Sequence, residues 1–203
     1  MNGLDRALSG LDHALNGVRV VGLDLSLSST GVSDGWSVHA FQTTDEHSVE
    51  DRINCLVDTC TSFVMKPTHG DAPFRRADLV VIEGAAFGSK GNAVDQLAGL
   101  RWAVRCELSR LNQPFAIVPP STLKAYTAGN GRAGKPEMVA ALAARHGLDL
   151  RAHKVKDGKY DMADAYALAA MGYARLGRPL RTEGPPPPLA SLLVVNWPDV
   201  GTS

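Results

Sequence analysis

Two short apolar runs in this chain each end on a carboxylate: VVGLD, from Val20 to Asp24, and LVVIE, from Leu79 to Glu83. Apolar, partly β-branched runs of this length, bounded by turn-forming residues, read as buried strands. The second is apolar at every position before Glu83, as expected of a strand covered on both faces by helices. Two such strands belong to one sheet, and if they are neighbours with their ends in register, Asp24 and Glu83 meet. Each also has an ordinary role open to it. Asp24 can accept a backbone N–H in the turn that follows, and Glu83 can pair with a lysine.

The order of elements around these runs gives the fold class. After Asp24 comes a turn rich in small hydroxylated residues, LSLSSTG, then a second strand roughly from Gly31 to Phe41. Ser48-x-x-Asp51 resembles a capping box opening a helix, in which Val49, Ile53, Leu56, Val57, Cys60, Phe63 and Val64 recur at helical spacing. Beyond the second carboxylate-ended strand, the loop AAFGSKGN leads into a helix from about Ala93 to Leu111, and PFAIVP forms a short strand. Ser121 is placed to cap the next helix, GNGRAGK is a turn, Pro136 suits the first turn of another helix, and YDMADAYALAAMGYARLG is a final helix. Strands alternating with helices indicate an α/β fold, and the early hairpin makes the sheet mixed.

The 203 residues divide into a single globular domain at 19–180, an extension at 1–18 and a tail at 181–203. The extension holds two imperfect heptads, GLDRALS and GLDHALN, with Leu4, Leu8, Leu11 and Leu15 on one side. Two heptads are too short for a stable coiled coil alone. The tail joins a stiff GPPPP spacer to the apolar LASLLVVNW, which docks either on the domain or on a partner. No apolar run approaches membrane-spanning length, and the first residues lack a cationic start followed by an apolar stretch, so a cytoplasmic location without membrane contact is expected. Cys55, Cys60 and Cys106, without a His/Cys cluster to complete a zinc site, read as buried free thiols.

Zero net charge hides an asymmetry. Residues 1–83 hold 6 Lys and Arg against 12 Asp and Glu, whereas residues 84–183 hold 15 against 8. The second part can therefore present a basic face to nucleic acid, although a solvated mixed surface has the same composition. The final helix adds Asp161 and Asp164, three apart and so on one face. Asp161 could instead cap that helix. Asp164 lies among Ala163, Ala165, Ala167 and Leu168, where a bare charge is costly. If these two meet Asp24 and Glu83, the four repel one another unless cations lie between them, and Mg²⁺ or Mn²⁺ suits an all-oxygen site.

The motifs GLDLSLSSTG, VVIEG, PPSTLKAYTAGNGRAGK and DMADAYALA together resemble the RuvC-type Holliday-junction resolvases of the RNase H-like nuclease superfamily, over about Val20 to Arg175. The resemblance implies an RNase H-like mixed sheet flanked by helices, with Asp24, Glu83, Asp161 and Asp164 as catalytic metal ligands for two ions per site. It places Lys124, Arg132 and Lys135 near substrate phosphates and Phe87 near an aromatic residue that wedges into the junction. Lys90, Lys154, Lys156 and Lys159 join them as candidate DNA contacts. A homodimer resolving four-way junctions is implied as well. The helix bearing Leu97, Leu100, Val104 and Leu108 is a candidate dimer surface, or equally core.

The expected chemistry is phosphodiester hydrolysis, one ion activating water and the other neutralising the leaving 3′-oxygen. The turn after Asp24 departs from the family's glycine-bearing form and looks closer to phage-encoded or divergent relatives, and the two extensions suit a further protein partner. A related nuclease acting on a fork, a flap or an RNA–DNA hybrid has the same sequence pattern. A non-catalytic junction-binding scaffold would have to keep the carboxylate repulsion without metal, and an actin-like ATPase or sugar kinase would need a second phosphate loop that the chain does not supply.

Overall fold

The structure, a computed structural model, describes residues 17–65, 76–85, 91–180 and 186–200. In chain order the elements are β1 (Val20–Asp24), β2 (Ser29–Ser33), β3 (Val38–Gln42), α1 (Val49–Met65), β4 (Leu79–Glu83), α2 (Asn92–Arg110), β5 (Phe115–Val118), α3 (Pro120–Ala128), α4 (Lys135–His146), a 3₁₀ turn (Val155–Asp157), α5 (Lys159–Arg175) and the short α6 (Ala190–Leu193). The strands form one five-stranded sheet in the order β3-β2-β1-β4-β5. β1, β4 and β5 run parallel, and β2 and β3 are antiparallel to their neighbours.

Side chains alternate across the sheet, and the alternation divides the core in two. Val20, Leu79, Val81, Ala116 and Val118 face α3, α4 and α5. Val21, Leu23, Val80 and Ile82 face α1 and α2. Both faces of β1 and β4 are covered, which is why their sequences are apolar throughout. By the same period, Asp24 and Glu83 emerge on the α5 side.

Several local expectations hold and others do not. Ser48 Oγ accepts the Asp51 N–H at 3.0 Å, as the capping box requires, while the Asp51 carboxylate accepts from the Ser48 hydroxyl at 2.7 Å. The single strand expected from Gly31 to Phe41 is instead β2 and β3 joined by a tight turn. Asp34 Oδ1 accepts from the Trp36 and Ser37 N–H groups at 3.0 and 2.8 Å, and Gly35 takes the left-handed φ of 86° that the turn requires. Ser121 does not cap α3: the helix begins at Pro120, whose fixed φ presets the first turn, and no side chain caps it.

Leu100, Val104 and Leu108 are buried under the sheet with Leu97 packed beside them, so that face of α2 is core and not a dimer surface. Cys60 is buried, and burial pushes its thiol up to about 12. Cys55 and Cys106, expected to be buried, are exposed because they lie on the outer sides of their helices. The tail docks on the domain: Val195 is buried, Leu192, Trp197 and Val200 pack against the α5-side core, and Trp197 Nε1 donates to the Leu192 carbonyl at 2.8 Å. No helix among the described residues is long and apolar enough to cross a membrane. The leucine heptads, Phe87 and Lys90 lie outside the described residues.

Candidate active site

The register of the two central strands decides where the first carboxylates go. β1 and β4 pair from Val20 with Leu79 through to Leu23 with Ile82, so the next step sets Asp24 beside Glu83. The two carboxyls interact directly, which raises the proton affinity of Asp24 and works against that of Glu83.

α5 is brought to the same place by glycine. A Cβ on Gly22 would collide with the Ala165 carbonyl and stand 2.6 Å from the Ala169 nitrogen. One on Gly31, across from Asp24 in the β1–β2 pairing, would run into the Asp161 backbone. At the far end, a Cβ on Gly172 would stand 2.6 Å from Val20. α5 therefore lies directly on the backbone of β1 and β2, running against β1, with its first turn over the carboxylate-bearing end of that strand. Gly158, which precedes α5 in a left-handed conformation (φ 79°), adds a fourth close approach: a Cβ there would stand 2.6 Å from Ser29 Oγ and 3.5 Å from Asp161 Oδ2.

The four carboxylates thus converge from β1, β4 and α5. Burial raises the pKa of Asp24 well above the carboxylate range, and the charges of Glu83, Asp164 and Asp161 raise it further. Burial also raises Glu83, against the hydrogen bond from Asp24 and the positive charges of Arg101, Lys135 and Lys124. Asp164 is pushed up to about 7, first by burial and then by Glu83, with Lys135 and Lys124 pulling it back. The ordinary roles are not taken. The turn after β1 is closed by Thr30, whose Oγ1 accepts the Ser26 N–H at 3.2 Å and donates to the Ser26 carbonyl at 2.7 Å. No side chain caps α5, and Asp164 is largely buried.

The basic candidates divide. Lys124 on α3 and Lys135 at the start of α4 act directly on Glu83 and Asp164, and Lys135 Nζ lies 5.4 Å from the centre of the Tyr160 ring. Arg132 is exposed in the turn between those helices. Lys154 and Lys156 are exposed ahead of α5, and Gln42 Nε2 holds their loop to β3 through the Lys156 carbonyl at 2.5 Å. Lys159 is half-buried at the first position of α5 and helps to lower Asp149.

Two features escaped the sequence reading. Gly22 and Gly31 interrupt strands, a pattern that marks close backbone approach. Arg101, on the opposite face of the sheet from the lysines, carried no motif.

No protein-family model and no curated protein matches the sequence. Solved structures do match. "Thermus thermophilus RuvC structure" is 19% identical with a TM-score of 0.57, and the match covers 79% of this chain and 98% of that one. A structure of T. thermophilus RuvC in complex with Holliday junction substrate is 16% identical, with the same TM-score and 80% and 98% coverage. The fold is RuvC-type. The sequence reading is thereby upheld for its fold class and for the family it resembles in fold.

Proposed function

We propose that the protein is a metal-dependent, structure-selective endonuclease that resolves four-way DNA junctions by paired phosphodiester hydrolysis, working as a homodimer whose symmetry matches that of the junction. The observation that carries the reading is the convergence of Asp24, Glu83, Asp161 and Asp164 from three elements of a RuvC-type fold. The likeness to a RuvC bound to Holliday junction substrate favours a branched-DNA substrate. The nuclease unit is residues 19–180.

The donor set fits Mg²⁺ or Mn²⁺. It consists of carboxylates alone, and the charges of its other members raise the proton affinity of Asp24 and of Asp164, as ligands do when a cation is needed between them. Ser29 Oγ, buried and without a hydrogen-bond partner, faces the same space over Gly158. Among the described residues no three such side chains are drawn close enough to ligate one ion. Asp24 would be the ligand shared by two ions, Glu83 would complete one set, and Asp161 with Asp164 the other. When bound, the ions supply an activated water and a counter-charge for the leaving 3′-oxygen. The strand ends fix Asp24 and Glu83, the α5 contact fixes Asp161 and Asp164, and Lys124 and Lys135 bring positive charge to the position a phosphate would take.

The test is cleavage of a labelled synthetic four-way junction beside duplex, fork and RNA–DNA hybrid, in Mg²⁺ or EDTA, with Asp24→Asn as control. Paired, symmetric, metal-dependent nicks that vanish in the variant are expected. Cutting only the fork or hybrid would replace the substrate, and junction binding without cleavage would leave a scaffold.

A further inference from the structure

The first turn of α5 carries an aromatic ring that the carboxylate cluster does not use. Tyr160 immediately precedes Asp161, is half-buried, and its hydroxyl makes no hydrogen bond among the described residues. Over its face lies the ammonium of Lys135, 5.4 Å from the ring centre. That is within the roughly 6 Å at which the negative face of a ring attracts a cation.

Both partners are rooted firmly. Gly158, two residues before Tyr160, lies so close to Ala40 and Ser29 that a Cβ would collide with both, and its carbonyl accepts the Met162 N–H at 2.9 Å. Lys135 opens α4 beside Pro136, whose fixed φ presets the turn, and Glu137 Oε2 accepts the Gly134 N–H at 2.6 Å. Glu137 is thereby committed to the start of its helix, and no carboxylate among the described residues forms an ion pair with Lys135. The flexible part is the four-carbon stem of Lys135, and the Tyr160 ring holds its charged end. Lys124, the other lysine that acts on Glu83 and Asp164, lies over no ring among the described residues.

We propose that Tyr160 is a positioning residue, whose ring holds the Lys135 ammonium at the rim of the carboxylate cluster where it takes a substrate phosphate. An ammonium over a ring keeps N–H donors for an anion. Tyr160 shares a helical turn with Asp161, so a phosphate held by Lys135 is aligned by the same helix that carries one of the carboxylates. Holding the stem in advance also lowers the ordering entropy that binding would otherwise cost. This rests on the nuclease reading and deepens it, because it assigns how one phosphate contact is aimed.

Two measurements test it. The first needs no DNA. With isotope-labelled lysine, the ε-methylene protons of Lys135, assigned by their loss in Lys135→Gln, should be shifted upfield by the ring in wild type and in Tyr160→Phe. In Tyr160→Leu they should return to the ordinary lysine position. Absence of the upfield shift in wild type overturns the contact and the proposal together. The second is a double-mutant cycle on binding of a labelled four-way junction in Ca²⁺, all in an Asp24→Asn background. Tyr160→Leu should weaken binding roughly two- to fivefold when Lys135 is present and leave it unchanged in Lys135→Gln protein, while Tyr160→Phe binds as its parent does. No loss, an equal loss with and without Lys135, or a loss as large in the phenylalanine variant overturns the positioning role and leaves the nuclease reading standing. Failure of the Asp24→Asn protein to bind junction, fork or hybrid overturns the nuclease reading, and the role of Tyr160 with it.

Discussion

Replacing Asp164 by asparagine should make the metal-free protein more stable while abolishing its proposed activity. Asp164 is largely buried in α5, and its pKa rises from 3.8 to about 7. A carboxyl that holds its proton more tightly when folded adds nothing below its unfolded pKa. It destabilises the fold increasingly as pH climbs from about 4 to about 7, and fully above that. The gap corresponds to roughly 4 kcal/mol at pH 8. Asparagine has nearly the same shape and helix propensity and no charge to desolvate. In EDTA at pH 8 the variant should melt roughly 10 °C above wild type, a figure that relaxation around the site would reduce. Near pH 4 the difference should vanish, and added Mg²⁺ should raise the wild type more than the variant. Melting curves by circular dichroism at the two pH values decide the matter. A variant no more stable than wild type at pH 8, or stabilised equally at both, would refute the electrostatic account of the cluster.

Other consequences follow from the packing. Gly22→Ala should cost at least about 3 kcal/mol in denaturant unfolding, because its Cβ meets the Ala165 carbonyl and the Ala169 nitrogen, neither of which can yield without moving α5. Arg19→Met should cost about 2–4 kcal/mol, since Arg19 ties the last carbonyls of α1 to the start of β1 and its loss leaves the Phe63 carbonyl without its donor and Val64 with the Ala77 N–H alone. Trp197→Ala should release the tail and expose the core around Val195, read as faster proteolysis after the proline spacer with the carboxylate site unchanged.

The sequence made the sheet and its carboxylates legible because both rest on short-range patterns. Apolar runs ending in Asp24 and Glu83 show period and terminus together, and Asp161 and Asp164 share a face by helical spacing alone. The turn at Asp34–Gly35 was also written in the chain, but a run of mixed Val, Ser and aromatic residues on both sides masked it as one strand. Exposure of Cys55 and Cys106 was harder to read, since an amphipathic stripe gives a helix a buried face without fixing how wide that face is. Arg101 was out of reach: its relation to Glu83 depends on α2 packing on the sheet face that holds Val80 and Ile82, a long-range contact with no local signature.

Site and fold pull against each other here, and the glycine contacts show how the conflict is resolved. Four carboxylates gathered at one sheet end repel, and the repulsion acts to lift the first turn of α5 away from β1. What opposes it is the length of close contact behind that turn, from Asp161 over Gly31, through Ala165 and Ala169 over Gly22, to Gly172 against Val20 and Val81. Small residues on both surfaces let the backbones meet, so the helix is held by dispersion along most of its length while only its first turn carries the electrostatic load. A larger residue at Gly31 would act where the load is greatest, displacing the Asp161 backbone itself. It should therefore damage the carboxylate geometry more than a residue of the same size at Gly172, even where the two cost the fold equally.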